Sequence, residues 1–138
     1  MNNDNLTYDI VYIVDDDKVI NLTHLQIIKK TGIANETRVF SNPLKALEDL
    51  TAELKSSYKN IFVLLDISMD QINGFELLDS LTYINVKGIL DIVIVTSSLD
   101  YKNRQKGMEH PLVKGYINKP LTKKHLLEFI HNYTLKSE

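Results

Sequence analysis

Residues 60–74 read N-I-F-V-L-L-D-I-S-M-D-Q-I-N-G, and the way this stretch divides decides the fold. Five apolar residues in succession, Ile61 to Leu65, are too few for a helix and suit a strand buried on both faces. The run ends on a carboxylate, Asp66, where a buried parallel strand emerges at its C-terminal edge. In open α/β sheets that edge is where ligands bind. A loop closed by Gly74 follows, and then Phe75 to Ile84 carry apolar residues at helical spacing. Taken alone, Asp66 reads equally as a turn former and as part of a site.

The same strand–helix unit recurs on both sides. Asp9 to Asp17, D-I-V-Y-I-V-D-D-D, gives a strand over Ile10–Val14 that stops on three acids. Asp17 is placed to cap a helix, its carboxylate near free backbone amides. Asp15 and Asp16 crowd one another, and like charges at that separation are costly, so the pair reads as a solvated turn or as a cation site. Val19, Ile20, Leu22, Leu25, Ile27 and Ile28 mark the first helix, stopped at Gly32. Thr37 to Phe40 reads as a short strand, and Ser41 or Asn42 caps a helix with Pro43 in its first turn and Ala46, Leu47, Leu50 and Leu54 inward. Ile89 to Val95 is another apolar strand, ending at Thr96. Asp100 to Met108 predicts a short, exposed, polar helix ending near Gly107. Leu112 to Asn118 predicts the last strand, before Lys119-Pro120, and Leu121 to Leu135 a terminal helix with Leu126, Leu127, Phe129, Ile130 and Tyr133 on its apolar face. His24, His125 and His131 are expected on helix surfaces and His110 in a turn, with no metal-ligand spacing among them.

Five strands alternating with five helices mean an α/β fold: a parallel sheet with right-handed crossovers and helices on both faces. Eight strands of a barrel do not fit in 138 residues. A single domain is expected over residues 1–138, with its core over about 8–135 and no output domain. Apolar content of 43% and charged content of 25% are ordinary for a soluble domain, and a net charge of −2 argues against a broad nucleic-acid surface or a polybasic membrane anchor. The absence of cysteine excludes disulfides, thiol catalysis and thiolate metal sites. The polar start, M-N-N-D-N, is not a signal peptide, so a cytoplasmic location is expected.

The chemistry gathers at four strand ends: Asp15 and Asp16, Asp66, Thr96 and Lys119. Parallel strands put these ends on one edge. Three carboxylates, a hydroxyl and an ammonium converging there make an oxygen-lined site for a hard cation such as Mg²⁺, with one base to balance charge.

These blocks carry a resemblance. V-D-D-D at 14–17, L-L-D-I-S-M-D-Q-I-N-G-F-E-L-L at 64–78, I-V-T-S at 94–97 and G-Y-I-N-K-P at 115–120 resemble the acidic pocket, phosphoacceptor loop, switch threonine and lysine–proline motif of response-regulator receiver domains in two-component signalling. The spacings, 30 residues from Asp66 to Thr96 and 23 from Thr96 to Lys119, are similar to those of the family. The resemblance implies the flavodoxin-like strand order 2-1-3-4-5, the order for which a receiver protein is a standard example. It implies that Asp66 accepts a phosphoryl group from a phosphohistidine on a sensor histidine kinase or histidine phosphotransfer protein. Asp16 and Asp66 would ligate Mg²⁺ or Mn²⁺ directly, with the Ser68 backbone carbonyl as a third ligand and Asp15 acting partly through water. Thr96 would bond a phosphoryl oxygen and move toward it, Tyr116 would rotate inward into the vacated space, and Lys119 would pair with the aspartyl phosphate. Lys119-Pro120 becomes a candidate cis peptide. The chain departs from the family at Asp70, where proline is usual, at Ile72, often methionine, and at Leu121, often phenylalanine.

The resemblance further implies no turnover enzyme, a monomer or phosphorylation-dependent homodimer, and a downstream protein partner on the face formed by residues 100–135, without contact to nucleic acid or membrane. Other readings are a Mg²⁺-dependent phosphatase-like hydrolase, a receiver cut from a hybrid histidine kinase, a flavodoxin-type cofactor protein, and a receiver that is never phosphorylated. The hydrolases pair their nucleophile with an acid two residues on, where this chain has Ser68. D-D-D after the first strand would repel a flavin phosphate.

Overall fold

The computed structural model describes residues 7–67, 73–97 and 101–137, with residues 101 and 133–137 described by backbone alone. Five strands, β1 (Tyr8–Val14), β2 (Ala34–Phe40), β3 (Asn60–Leu65), β4 (Ile89–Thr96) and β5 (Val113–Asn118), alternate with α1 (Lys18–Thr31), α2 (Pro43–Ser56), α3 (Gly74–Thr82), α4 (Tyr101–Glu109) and α5 (Lys123–Ser137). The strands form one parallel sheet in the order β2-β1-β3-β4-β5. This is the flavodoxin-like α/β arrangement, with a reversal of strand order beside β1.

Alternation along each strand splits the core into two layers. Ile10, Tyr12 and Val14 of β1, with Ile61, Val63 and Leu65 of β3, face α2 and α3. Val11 and Ile13, with Phe62, Leu64, Val93 and Val95, face α1 and α5 through Ile28, Leu126 and Ile130. A fully buried aliphatic side chain contributes about 1.5–3 kcal/mol, so the three central strands form the rigid part of the molecule. Among the described residues, no helix is long and apolar enough to cross a membrane.

Several elements differ from the sequence expectation. β2 begins at Ala34 rather than Thr37; as an edge strand it pairs only with β1 and tolerates the polar run Asn35, Glu36, Thr37, Arg38. Arg38 clasps this edge to α2, with ion pairs to Asp49 at 2.7 Å and Glu53 at 2.9 Å and a bond to the Tyr12 hydroxyl oxygen at 3.2 Å. The inner line of α1 is Asn21, His24 and Ile28, whereas Val19 is 70% and Leu22 60% exposed. His24 is thus buried, contrary to the surface position expected for it, while His125 and His131 are exposed and His110 lies at the turn before β5 as expected. β4 is not wholly apolar: Asp91 is buried and accepts a 2.7 Å bond from the Tyr8 hydroxyl. α4 continues past Gly107 to Glu109, and Gly107 is buried inside it.

Candidate functional site

The sheet's register sets the site. Val14 lies opposite both Phe40 and Leu65, Leu65 opposite Ile94, and Thr96 opposite Asn118, so the four strand ends lie along a common edge. The ladder then continues one residue into the site itself. Asp15 N–H donates to Phe40 O at 3.2 Å, Asp66 N–H to Val14 O at 3.0 Å and Lys119 N–H to Thr96 O at 2.9 Å. Each of these side chains therefore leaves a backbone fixed by sheet hydrogen bonds rather than a loop, which is the precision a preorganised site needs.

The three acids after β1 have separate tasks. Asp17 caps α1, accepting from Val19 N–H at 2.9 Å and Ile20 N–H at 3.2 Å. Asp15, 2% exposed, turns inward: its Oδ1 accepts from Asp17 N–H at 2.9 Å and its Oδ2 from Lys119 Nζ at 2.7 Å. Asp16 is exposed. Carboxylate oxygens of Asp15, Asp16 and Asp66 all lie within 4.8 Å of one another. Lys119 Nζ also stands 3.5 Å from Asp66 Oδ2. Burial alone would lower the lysine's pKa, but the Asp15 hydrogen bond and the Asp66 charge outweigh it and raise it, so Lys119 is a fixed cation at neutral pH. Thr96, fully buried, closes β4 on the same edge.

The donors are oxygens alone, from three carboxylates, and this set suits a small hard divalent ion of the Mg²⁺ or Mn²⁺ type. Both Asp15 oxygens are engaged within the protein, Oδ1 by Asp17 N–H and Oδ2 by Lys119 Nζ. Ser68, Asp70 and Ile72 lie outside the described residues. Beyond them, Asn73 and Glu76 form a capping box on α3. Gly74 presses that helix onto the end of β3: a Cβ there would stand 2.7 Å from Ile67 Cα and 2.9 Å from Asp66 O. Alanine at 74 would push the helix away from the Asp66 backbone.

Two residues that sequence reasoning passed over support the acids. Asn21 Nδ2 donates to Asp15 O at 2.7 Å and to Phe40 O at 3.2 Å, tying the ends of β1 and β2 together. A polar residue on the inner line of a helix that starts at the site was the available signal. His24, 4% exposed on the next turn, is kept below the usual histidine pKa chiefly by burial; the Asp15 charge draws it up and Lys119 pushes it down. The unfolded chain therefore binds the extra proton more readily. Stability should be full above the ordinary histidine value of about 6.5 and fall as pH drops below it. Urea midpoints taken across that range should show this loss in the native chain and a flatter profile in His24→Gln; equal slopes would remove His24 as the cause.

Tyr116 lies on β5 with its hydroxyl buried and its ring under α4, where the Arg104 guanidinium sits 5.6 Å from the ring centroid. The ring packs against the α2–α3 layer of the core. The Lys119-Pro120 peptide is cis.

The profile of the response regulator receiver domain matches residues 11–131. A crystal structure of a two-component response regulator from Cytophaga hutchinsonii superposes with a TM-score of 0.78 at 28% identity, over 91% of this chain and 96% of that one. A receiver domain protein from Methanospirillum hungatei gives 0.71 at 25% identity, over 92% and 94%. The Vibrio cholerae chemotaxis protein CheY4 shares the fold, with a TM-score of 0.73 at 18% identity over 91% and 98%. Among curated proteins, none matches by sequence. With a profile that spans nearly the whole chain and strand-end acids and lysine meeting as described, the chain belongs to the response regulator receiver domain family.

Proposed function

We propose that the protein is a phosphoacceptor in two-component signalling, with Asp66 as the acceptor. One observation carries this reading: Asp15, Asp16 and Asp66 converge within 4.8 Å, with Lys119 Nζ held between Asp15 and Asp66. The donor is a phosphohistidine on a sensor histidine kinase or histidine phosphotransfer protein. An Asp66 carboxylate oxygen attacks phosphorus, the P–N bond breaks, and the imidazole leaves with that electron pair and takes up a proton. The product is an acyl phosphate on Asp66. Lys119 offers its ammonium to the phosphoryl oxygens, and Thr96, at the neighbouring strand end, offers its hydroxyl. Mg²⁺ or Mn²⁺, held by Asp16 and Asp66 with Asp15 and the Ser68 carbonyl in support, supplies charge neutralisation for those oxygens. With serine two residues after Asp66, the chain offers no acid there to speed hydrolysis, and the phosphoryl group serves as a signal rather than an intermediate of turnover. A cytoplasmic setting goes with this reading.

The output is read by a protein partner on the α4–β5–α5 face through the switch pair Thr96 and Tyr116. Lys102, Arg104, Lys106, Lys114, Lys123 and Lys124 outnumber Glu109 and Glu128 among the described side chains of these elements, which suits an acidic partner. A two-fold dimer through the same patch would set like charges against each other.

Incubation with acetyl phosphate and Mg²⁺, followed by intact mass, tests the acceptor. The protein should gain one phosphoryl group, lost when the metal is chelated and absent in Asp66→Asn. Stable, Mg²⁺-dependent phosphate on Asp66→Asn at the native rate would overturn the assignment.

A further inference from the structure

Asp16 sits in the middle of a turn that one residue of α1 holds at both ends. The Asn21 backbone N–H donates to Asp17 O at 3.0 Å, a first-turn helical bond that any residue but proline could make. Its side chain reaches back past Asp16 to the other end, where Nδ2 donates to Asp15 O at 2.7 Å. Nδ2 also donates to Phe40 O at 3.2 Å, the carbonyl that accepts the Asp15 N–H. Asn21 is 2% exposed, and its Oδ1 has no hydrogen-bond partner. A buried acceptor left empty costs stability, so what this side chain contributes lies in its two donors. Leucine would fill the inner line of α1 without that cost. The side chains of Asp15 and Asp17 are themselves tied down, the first to Asp17 N–H and Lys119 Nζ, the second to the amides of Val19 and Ile20. Asp16 is exposed, and the direction of its side chain follows from the peptide units on either side. The Asp15 carbonyl belongs to the first of these, and a planar peptide held by its oxygen fixes the Cα of the residue that follows.

We infer that Asn21 is a positioning residue for the cation site: by holding the Asp15 carbonyl it sets the Asp15–Asp16 peptide plane, and with it the direction in which Asp16 presents its carboxylate. This rests on the reading of Asp16 as a cation ligand. Partners one step behind a ligand raise affinity by holding that ligand in place, and their loss weakens binding about tenfold or more. Without the Nδ2 bond the Asp15 carbonyl can turn, and the exposed Asp16 has to be ordered by the cation itself, which costs affinity.

The test compares Asn21→Leu with Tyr8→Phe, a change at the opposite end of β1 that removes the buried bond to Asp91. Mn²⁺ is added to each metal-free protein, and the free ion is counted from its electron paramagnetic resonance signal. This gives a dissociation constant with no phosphoryl transfer involved. Urea unfolding in the presence of a chelator gives the stability of the same samples. Asn21→Leu should bind Mn²⁺ about tenfold more weakly than the native chain. Tyr8→Phe should lose stability and keep the native constant. A merely structural role for Asn21 predicts the pattern of Tyr8→Phe for both variants. A constant for Asn21→Leu within about twofold of the native one, or an equal loss of affinity in Tyr8→Phe, overturns the inference. Should Asn21→Leu fail to unfold cooperatively, Asn21→Ala, which lets water reach both carbonyls, takes its place on the same terms, and failure of both to fold overturns it. A native chain that leaves all the Mn²⁺ free takes down the cation reading and this inference together. A native chain that binds it, matched by the Asn21 variants, leaves that reading intact and removes Asn21 from it.

Discussion

Replacing Lys119 with methionine is expected to destabilise the metal-free protein by about 3 kcal/mol, the largest effect of any single change at the site. Its Nζ lies 2.7 Å from Asp15 Oδ2 and 3.5 Å from Asp66 Oδ2, and those carboxylates are 2% and 5% exposed. Methionine keeps the length of the side chain and removes the ammonium that stands between two buried acids. The lysine side chain is itself 15% exposed, so some solvent reaches the cluster and the loss belongs at the low end of the range for broken buried pairs. Because the Lys119 pKa is raised on folding, its contribution is complete below the ordinary lysine value of about 10.4 and disappears as pH rises through the folded value. Urea unfolding in the presence of a chelator measures the loss. Adding Asp15→Asn to Lys119→Met should recover much of it, since the two changes act on one contact. A loss below about 0.5 kcal/mol would show that water, not Lys119, balances the acids.

Divalent cation should act in the opposite direction. With three carboxylates converging within 4.8 Å, the metal-free protein carries their mutual repulsion, offset only in part by Lys119. Mg²⁺ at ten times its dissociation constant should add about 1.4 kcal/mol to the unfolding free energy, visible as a melting temperature several degrees higher. Asp16→Asn removes one of the three charges from the exposed side of the cluster. That variant should melt higher than the native chain without metal and show no rise when Mg²⁺ is added. An undiminished Mg²⁺ response in Asp16→Asn would place the cation elsewhere and remove Asp16 from the ligand set.

The central strands were legible because β1, β3 and β4 are short apolar runs, each stopping at a residue able to do chemistry. Once parallel strands in register are granted, Asp15, Asp66, Thr96 and Lys119 must share an edge, and they do. The order of the strands is a different matter: periodicity yields the α/β class alone, and 2-1-3-4-5 came from the family resemblance before the sheet displayed it. α1 was misread on its inner face because the hydrophobic pattern treats buried as apolar. Asn21 and His24 break that rule, the first because it holds the Asp15 and Phe40 carbonyls. Asp91 breaks it in β4 by bonding to Tyr8. Gly107 was read as a helix stop, the commonest use of glycine near a helix end, whereas the chain uses it for close approach. Asp17 was legible as a cap, but nothing in D-D-D says which of the other two acids turns inward. That choice is made across the sheet by Lys119, 104 residues away from Asp15.

The measurement that bears most directly on Asp66 as acceptor is chemical trapping. An acyl phosphate on aspartate is reduced by borohydride to homoserine, whereas a free carboxylate is not, so the reagent marks the phosphorylated residue permanently. Protein treated with acetyl phosphate and Mg²⁺, reduced and then mapped by peptide mass spectrometry should carry homoserine at position 66 and at no other aspartate. Homoserine at 15 or 16, or stable phosphate with no homoserine at all, would contradict the assignment.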